Sequence, residues 1–350
     1  MRGRVLRVLQ IGFTYMGTVV GAGFATGQEI LQFFTRYGHW AVLTIVLATA
    51  MFIWLGGKMM LLAGEIGAKS YEDLNKALFG PAVGQLVSYF MLVVLLGVNA
   101  VMLAGAGTIF YENWNLPYQI GLVVTLVACY LMLRRGMNAI LTINSIVVPF
   151  MLLFTAIVLY DTFTSPSGGR WLQLTTDDSA LRVWTAPLLY TAFNLAMAQA
   201  VLVPLGAGIK DRKAIRLGSL FGGIGIGFML LAGHIALSSH MPGVQQYEIP
   251  MGGIARQLGY GIQFVYILLI FSEIFTTLIA DIYGLALQLQ QRVAVSPNVL
   301  LLIILVLCYL LSQIGFGPLV KTLYPIFGLF SLGWLALMML KKTRKRPESD

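Results

Sequence analysis

The sequence predicts an all-α membrane protein with ten transmembrane helices, and two observations carry that prediction. The first is composition: hydrophobic residues make up 58% of the 350 residues, charged residues make up 11%, and the mean hydropathy is +0.82. This composition excludes an ordinary soluble domain. Apolar stretches close to the length of about 20 residues that crosses a bilayer recur along the chain. The ten predicted segments are 8–34, 39–63, 83–111, 117–133, 138–160, 184–206, 215–238, 259–288, 297–313 and 318–340.

The second observation is an internal repeat, in which positions of the first half correspond to positions of the second half at one constant separation along the chain. Segment lengths follow the same order in both halves, because the third and eighth segments are long and the fourth and ninth are short. We therefore predict a single transmembrane domain over 1–350, built from two inverted five-helix repeats at about 8–160 and 184–340. The positions that correspond at this offset are Thr18–Gly23 with Asn194–Gln199, Tyr71 and Glu72 with Tyr247 and Glu248, and Pro149 with Pro325.

The positive charge of the chain predicts its orientation in the membrane. The net charge is +9, and most of the 23 Lys and Arg residues flank the segments on one face, which also receives both termini. The positive-inside rule places that face in the cytoplasm. We expect a multi-pass protein of the cell (plasma) membrane with both termini cytoplasmic and with membrane lipid as a partner. The charge needs no nucleic-acid partner to explain it.

Glycines interrupt the first predicted helix at membrane depth. Gly17, Gly21 and Gly23 allow the backbone to leave the helical region and let a ligand approach the chain closely. Broken helices at matching positions of two repeats mark the binding site in many transporters. The sequence predicts breaks at Val20–Gly23 in the first helix and at Asn194–Ala198 in the sixth. The alternative is that these glycines only permit close packing of helices.

Polar residues form a stripe on the eighth predicted helix. Glu273, Thr276, Thr277 and Asp281 are spaced so that they share one helical face. A charge at the bilayer centre costs about 2.5–3.5 kcal/mol on insertion scales, so this face is expected to line a cavity. Glu273 could coordinate a cation or carry a proton. The alternatives are hydrogen bonds to a neighbouring helix and back-bonding of the threonines to their own helix.

Other intramembrane polar residues are candidates for a gate or a cavity. Glu29 and Lys321 are predicted to form an outer gate pair, and Asp281 is a candidate coupling residue. Asn99 and Asn144 are candidate cavity amides, with interhelical hydrogen bonds as the alternative. We find no phosphate-binding loop, zinc motif or nucleophile elbow in the sequence, so neither an enzyme nor an organic cofactor is expected.

The run from Gly21 to Ile30, Gly-Ala-Gly-Phe-Ala-Thr-Gly-Gln-Glu-Ile, closely resembles the YkvI-type membrane proteins. This bacterial group is described as uncharacterised or as amino acid permeases of the amino acid–polyamine–organocation superfamily. The resemblance implies a LeuT-type fold with five-plus-five inverted repeats and breaks in the first and sixth helices. It also implies a central substrate site between the first, third, sixth and eighth helices. The candidate substrate-binding residues are Gly21, Ala22, Gly23, Asn99, Asn194 and Met197.

The resemblance also implies a sodium ion between the first and eighth helices. The family's carbonyl ligands fall at Gly17, Val20 and Glu273, and its hydroxyl pair falls at Thr276 and Thr277. The family's second sodium is doubtful here, because Phe24 and Ala192 occupy two of its ligand positions.

The leading functional prediction is a secondary transporter of an amino acid or a related small amine-containing solute, working by alternating access. Sodium coupling is favoured over proton coupling. The alternative is a nutrient-sensing membrane receptor of the same fold, similar to germinant receptors, that binds its ligand without transporting it. The sequence makes no prediction of the oligomeric state.

Overall fold

The computed structural model describes residues 2–166, 168–246, 250–313, 327 and 330–342, and within these ranges the regular structure is helical, without strands. Six helical stretches of the described residues, with Trp40–Ile66 counted as one, are long and apolar enough to span a membrane by length and composition, and three further apolar helices are shorter. The predicted all-α membrane protein is confirmed.

Fifteen helices define the described architecture, and we number them in chain order. Their bounds are α1 Arg2–Val19, α2 Ala22–Ala25, α3 Gln28–Phe33, α4 Trp40–Met51, α5 Gly57–Ile66, α6 Tyr71–Phe79, α7 Pro81–Trp114, α8 Tyr118–Leu133, α9 Met137–Thr164, α10 Ala180–Gly208, α11 Arg212–Ser239, α12 Pro250–Gln257, α13 Tyr260–Gln290, α14 Pro297–Ser312 and α15 Phe330–Leu340. A π-helical turn at Phe52–Gly56 joins α4 to α5.

These helices follow the predicted order of segments. The first segment comprises α1, α2 and α3, and the second comprises α4 and α5. The third to seventh segments are α7 to α11, and the last three are α13, α14 and α15. The helices α7 and α13 contain 34 and 31 residues, whereas α8 and α14 contain 16 each. Short helices α6 and α12 follow the second segment of each half, which agrees with the predicted repeat. Tyr247, Glu248, Lys321 and Pro325 lie outside the described residues.

The first helix is interrupted where the glycines predicted it. Val20 and Gly21 are not helical. The Gly21 amide donates to the carbonyl of Val19 at 3.1 Å, so it no longer makes the α-helical bond to the carbonyl of Gly17. The chain turns again at Gly27, whose φ of +85° favours glycine, before α3 begins. A break in the first helix is confirmed at Val20 and Gly21, whereas Ala22 and Gly23, which were predicted to lie in it, belong to the short helix α2.

The sixth helix is not interrupted, so the break predicted at Asn194–Ala198 is wrong. Helix α10 continues through these residues over its whole length of 29 residues. The reason lies in side chains: Ala196 and Ala198 stand where a break would need glycine, and glycine is less favourable than alanine in a helix by about 1 kcal/mol. The Asn194 amide also donates to the carbonyl of Tyr190 at 3.0 Å, within the same helix.

Close packing surrounds the broken helix. Helix α1 packs against α9, α10, α11 and α13. On α11, a Cβ added at Gly218 or Gly222 would collide with Ile11 or Tyr15 of α1, so these two backbones approach closely. The Tyr15 hydroxyl donates to the carbonyl of Phe52 at 2.8 Å. Protein therefore encloses the irregular backbone of the first segment, which is the condition for such backbone at membrane depth.

Candidate functional site

The break in the first segment faces the third and eighth segments. A Cβ added at Gly21 would lie 3.8 Å from Oγ1 of Thr277 on α13 and 3.9 Å from Cε of Met102 on α7. These are ordinary van der Waals distances, so the Gly21 backbone lies directly beside both helices. Three of the four helices expected to form the site meet at this point.

The polar face of α13 is buried beside this break. Glu273 is fully buried, and neither of its carboxylate oxygens makes a hydrogen bond of ordinary geometry to a described residue. The hydroxyl of Thr277 is likewise buried without such a bond. The hydroxyl of Thr276 instead donates to the carbonyl of Glu273 at 3.0 Å. Back-bonding therefore accounts for Thr276, whereas Thr277 and Glu273 present unpartnered oxygens, which are costly to bury.

Gly17 lies against the fifth segment, one helical turn before the break. A Cβ at this position would overlap the side-chain amide of Asn144 on α9, and Cγ2 of Val148 would be 3.0 Å away. Asn144 is 1% exposed, and neither Oδ1 nor Nδ2 has a hydrogen-bond partner among the described residues. The sequence predicted a cavity amide at Asn144 but gave it no place among the ion ligands. Asn144 and Gly17 are far apart in the sequence, so no local sequence pattern predicts their contact.

The predicted substrate residues on the first and third segments lie near the same backbone. Ala22 begins α2 directly after Gly21. Asn99 is fully buried, and its Nδ2 donates to the carbonyl of Leu95 at 2.7 Å while Oδ1 has no partner in the described structure. Asn99 lies one turn before Met102 and so shares the face of α7 that reaches Gly21. The amide oxygen of Asn99 is therefore a free acceptor on the face that borders the break.

The predicted substrate residues on the sixth segment are less directly placed. Asn194 and Met197 are 6% and 8% exposed on α10, which packs against α1 and α3. Since the Asn194 amide donates one hydrogen to its own helix, its second amide hydrogen and its side-chain oxygen are the groups left for a ligand.

The predicted gate and coupling residues are also buried. Glu29 on α3 is 9% exposed, its side chain covers Gly23, and its carboxyl group lies against the hydroxyl of Tyr190. Its predicted partner Lys321 lies outside the described residues, so the gate pair remains a prediction. Asp281 is 3% exposed, and its Oδ2 has no hydrogen-bond partner in the described structure.

A cluster of ion pairs at the predicted cytoplasmic end was missed by sequence reasoning. Glu72 on α6 is 2% exposed and pairs with Lys76 at 2.6 Å and with Arg292 at 2.6 Å. The Arg292 guanidinium also lies 4.1 Å from the ring centroid of Tyr89 on α7. We call these four residues the Glu72 cluster. Burial alone would raise the pKa of Glu72, but hydrogen bonds from Lys76 and Arg292 outweigh it and lower that pKa. Because Glu72 and Arg292 are 220 residues apart, no local pattern predicts the pair.

The oxygens at the break suit a small hard cation. The carbonyl of Gly17 has lost its α-helical donor, and the Thr277 hydroxyl and the Glu273 carboxylate are unpartnered. Carbonyl, hydroxyl and carboxylate oxygens are hard donors that prefer alkali and alkaline-earth ions to soft metals. Within the described ranges, no three His, Cys, Asp or Glu side chains come together to hold a metal ion. The residues at the break therefore fit sodium better than a transition metal.

Comparison with known proteins identifies both the fold and the family. No protein-family model matches the chain. An outward-open, substrate-bound Na+-coupled sialic acid symporter superposes with a TM-score of 0.68 at 11% identity, covering 95% of this chain and 78% of that one. MhsT in complex with L-phenylalanine superposes with a TM-score of 0.67 at 14% identity, covering 95% and 88%. These similarities show the LeuT-type fold.

The sequence has a higher identity to a bacterial membrane protein than to these solved structures. It is 39% identical over 340 residues, and 96% of each chain, to YkvI of Bacillus subtilis (strain 168), which is described as an uncharacterized membrane protein. The aligned region covers 96% of this chain and so includes both halves of the fold. The chain therefore belongs to the YkvI family of multi-pass membrane proteins.

Proposed function

We propose that the protein is a secondary active transporter that moves an amino acid or a related small amine-containing solute across the membrane by alternating access, coupled to sodium. The observation that carries the proposal is the group of unpartnered oxygens at the break in the first helix. Gly17, Thr277 and Glu273 contribute them from two helices. Buried polar groups in a membrane protein are expensive and mark ion or substrate pathways.

The cation site combines backbone and side-chain oxygens. The Gly17 and Val20 carbonyls contribute from the first segment, and the Thr277 hydroxyl contributes from the eighth. The Glu273 carboxylate balances the charge of a monovalent cation, and Thr276 supports it by bonding the Glu273 carbonyl. A bound sodium supplies positive charge that holds the two helices together at the break. Proton coupling through Glu273 is the competing mechanism.

The solute binds on the other side of the same break. Irregular backbone at Val20 and Gly21, followed by the first residues of α2, Ala22 and Gly23, gives it direct access to main-chain polar groups. The free Oδ1 of Asn99 is an acceptor suited to an ammonium group. Asn194 and Met197 on the intact sixth helix complete the pocket from the opposite side. Solved structures of this fold in complex with L-phenylalanine and with the substrate of a Na+-coupled sialic acid symporter support a small organic solute as the ligand.

Two polar layers would gate this site. On the outer side, Glu29 covers Gly23 and would pair with Lys321. On the cytoplasmic side, the Glu72 cluster ties α6 to the end of α13. Alternating access requires these layers to open in turn, with the protein in the cell membrane and both termini cytoplasmic.

A binding screen followed by transport tests the proposal. Purified protein is screened by thermal shift against amino acids and amines, with sodium or potassium at matched ionic strength, because a ligand that binds only the folded state raises stability. Any stabilising solute is then tested for uptake into proteoliposomes under a sodium gradient. We expect sodium-dependent stabilisation and uptake. Binding without uptake would favour a nutrient receptor, and uptake that follows pH and ignores sodium would favour proton coupling.

A further inference from the structure

Asn144 stands apart from the other buried asparagines that the structure describes. Asn75, Asn99 and Asn194 each hydrogen-bond a neighbouring side chain or a carbonyl of their own helix. Asn144 is 1% exposed on α9, yet both its polar atoms lack hydrogen-bond partners among the described residues. An apolar side chain of similar size would occupy this place between helices at lower cost. The amide is therefore better explained by a ligand than by packing.

The position of Asn144 indicates which ligand it serves. Its amide lies against Gly17, with Oδ1 the atom nearest the position that a Cβ would take. Gly17 carries the carbonyl that loses its helical donor at the break. Thr277 lies beside Gly21, four residues further along the first segment. Helices α1, α9 and α13 pack against one another in all three pairs. Unpartnered side chains of α9 and α13 thus lie beside the first segment at Gly17 and at Gly21, on either side of Val20.

We propose that Oδ1 of Asn144 is a further ligand of the cation at the break, so that the fifth helix joins the first and eighth in building the site. The inference rests on the proposed sodium coupling. The proposed donors are the Gly17 carbonyl, the Asn144 amide oxygen and the Thr277 hydroxyl. The Glu273 carboxylate, one helical turn from Thr277 on α13, supplies a negative charge that balances a monovalent cation. Movement of α9 away from α1 would remove a ligand, so cation release would accompany rearrangement of the fifth helix.

The test measures cation binding without solute. Purified protein is titrated with sodium chloride against a potassium chloride background at constant ionic strength, and the melting temperature is followed. Asn144→Leu is compared with Asn138→Leu, the same change at an exposed position of the same helix. We expect Asn144→Leu to raise the apparent sodium Kd at least tenfold and Asn138→Leu to leave it within twofold of the unmodified protein. An unchanged sodium response in Asn144→Leu overturns the inference.

A second variant keeps the test decisive if Asn144→Leu does not fold. Asn144→Asp retains an oxygen donor and adds a second carboxylate, so the site should gain a stabilising response to calcium that the unmodified protein lacks. A structural amide would not move the cation preference, and Asn144→Asp without calcium response but with unchanged sodium response overturns the proposal. If the unmodified protein itself shows no response to sodium, sodium coupling fails and this inference fails with it. A sodium response in the unmodified protein that survives in Asn144→Leu refutes the role of Asn144 alone.

Discussion

The first and sixth segments occupy equivalent places in the two halves of the sequence, yet one is broken and the other is a continuous helix. The difference follows from side chains: Gly17, Gly21 and Gly23 stand in the first segment, whereas Ala196 and Ala198 stand in the sixth. Each glycine makes a helix less favourable by about 1 kcal/mol relative to alanine. Two segments at equivalent places in the repeats therefore need not both be broken, because the local residue composition decides in each half whether the helix is interrupted.

Because of this difference, the two segments have different roles in the proposed binding site. The broken segment supplies freed backbone carbonyls and direct access to the main chain, which an ion or a charged solute needs. The intact segment is a continuous helix through Asn194 and Met197, so it offers a ligand mainly side-chain groups. These are the side-chain amide of Asn194 and the thioether of Met197. We expect changes at the broken segment to alter binding and changes at the intact one to alter mainly stability.

The largest effect is expected from filling the space over Gly23. A Cβ at this position would come within 3.0 Å of Cγ and Cδ of Glu29, so Gly23→Leu displaces the Glu29 carboxyl and covers the broken backbone. Solute binding should fall below detection in a thermal-shift titration, while size-exclusion chromatography still shows an assembled protein. Gly3→Leu is the control, because nothing lies within 4 Å of a Cβ on that helix position. Normal binding by Gly23→Leu would refute the placement of the solute.

A smaller but still large effect should separate the two threonines of α13. The Thr277 hydroxyl is free to bind a cation, whereas that of Thr276 donates to the Glu273 carbonyl. We expect Thr277→Ala to raise the apparent sodium Kd at least tenfold and Thr276→Ala to raise it only about twofold to threefold, equivalent to about 0.4–0.7 kcal/mol. Sodium titrations of both variants, followed by melting temperature, make the comparison. Equal losses would show that both hydroxyls bind the ion, and no loss in either would exclude a cation at this place.

Two substitutions make the first and sixth segments more alike, one by favouring helix in the first segment and one by weakening helix in the sixth. Both should have moderate effects. Gly21 has no positive φ, and a Cβ there meets its neighbours at 3.8 Å or more, so Gly21→Ala fits and favours a continuous helix. We expect it to weaken sodium binding several-fold. Conversely, Ala196→Gly should lower unfolding stability by about 1 kcal/mol and raise amide hydrogen exchange around 194–198, without weakening sodium binding. If Ala196→Gly instead changes sodium affinity more than Gly21→Ala does, the division of roles between the segments is wrong.

The sequence predicted those parts of the molecule that depend on local composition. The order and lengths of the segments follow from apolar stretches, and the break in the first helix follows from its glycines. The break in the sixth helix was predicted by analogy between repeats, and it was wrong because the alanines there favour helix. The contact of Asn144 with Gly17 and the pairing of Glu72 with Arg292 join residues far apart in sequence, so only the folded chain reveals them.

The short helices α6 and α12, which follow the second segment of each half, also differ in the contacts that hold them. Ion pairs hold α6, because Glu72 bonds Lys76 and Arg292, whereas the described contacts of α12 are packing and a backbone bond from Met251 to Thr26. The pKa of Glu72 is lowered in the folded protein, although burial opposes this. A carboxyl whose pKa is lowered by folding contributes stability above its unfolded pKa of about 4.3, and that contribution is lost as pH falls through the folded value.

Acidification should therefore loosen α6 before α12, with the smallest effect of the series. We expect the melting temperature of the unmodified protein to fall by a few degrees more than that of Glu72→Gln between about pH 5 and about pH 3, since the glutamine cannot be protonated. Glu65→Gln is a matched control near the same end of the fold, because Glu65 pairs with Arg212 outside the Glu72 cluster. Hydrogen exchange should rise in α6 and not in α12 over the same range. An equal acid response in Glu72→Gln and the unmodified protein would show that the cluster does not stabilise this end of the fold.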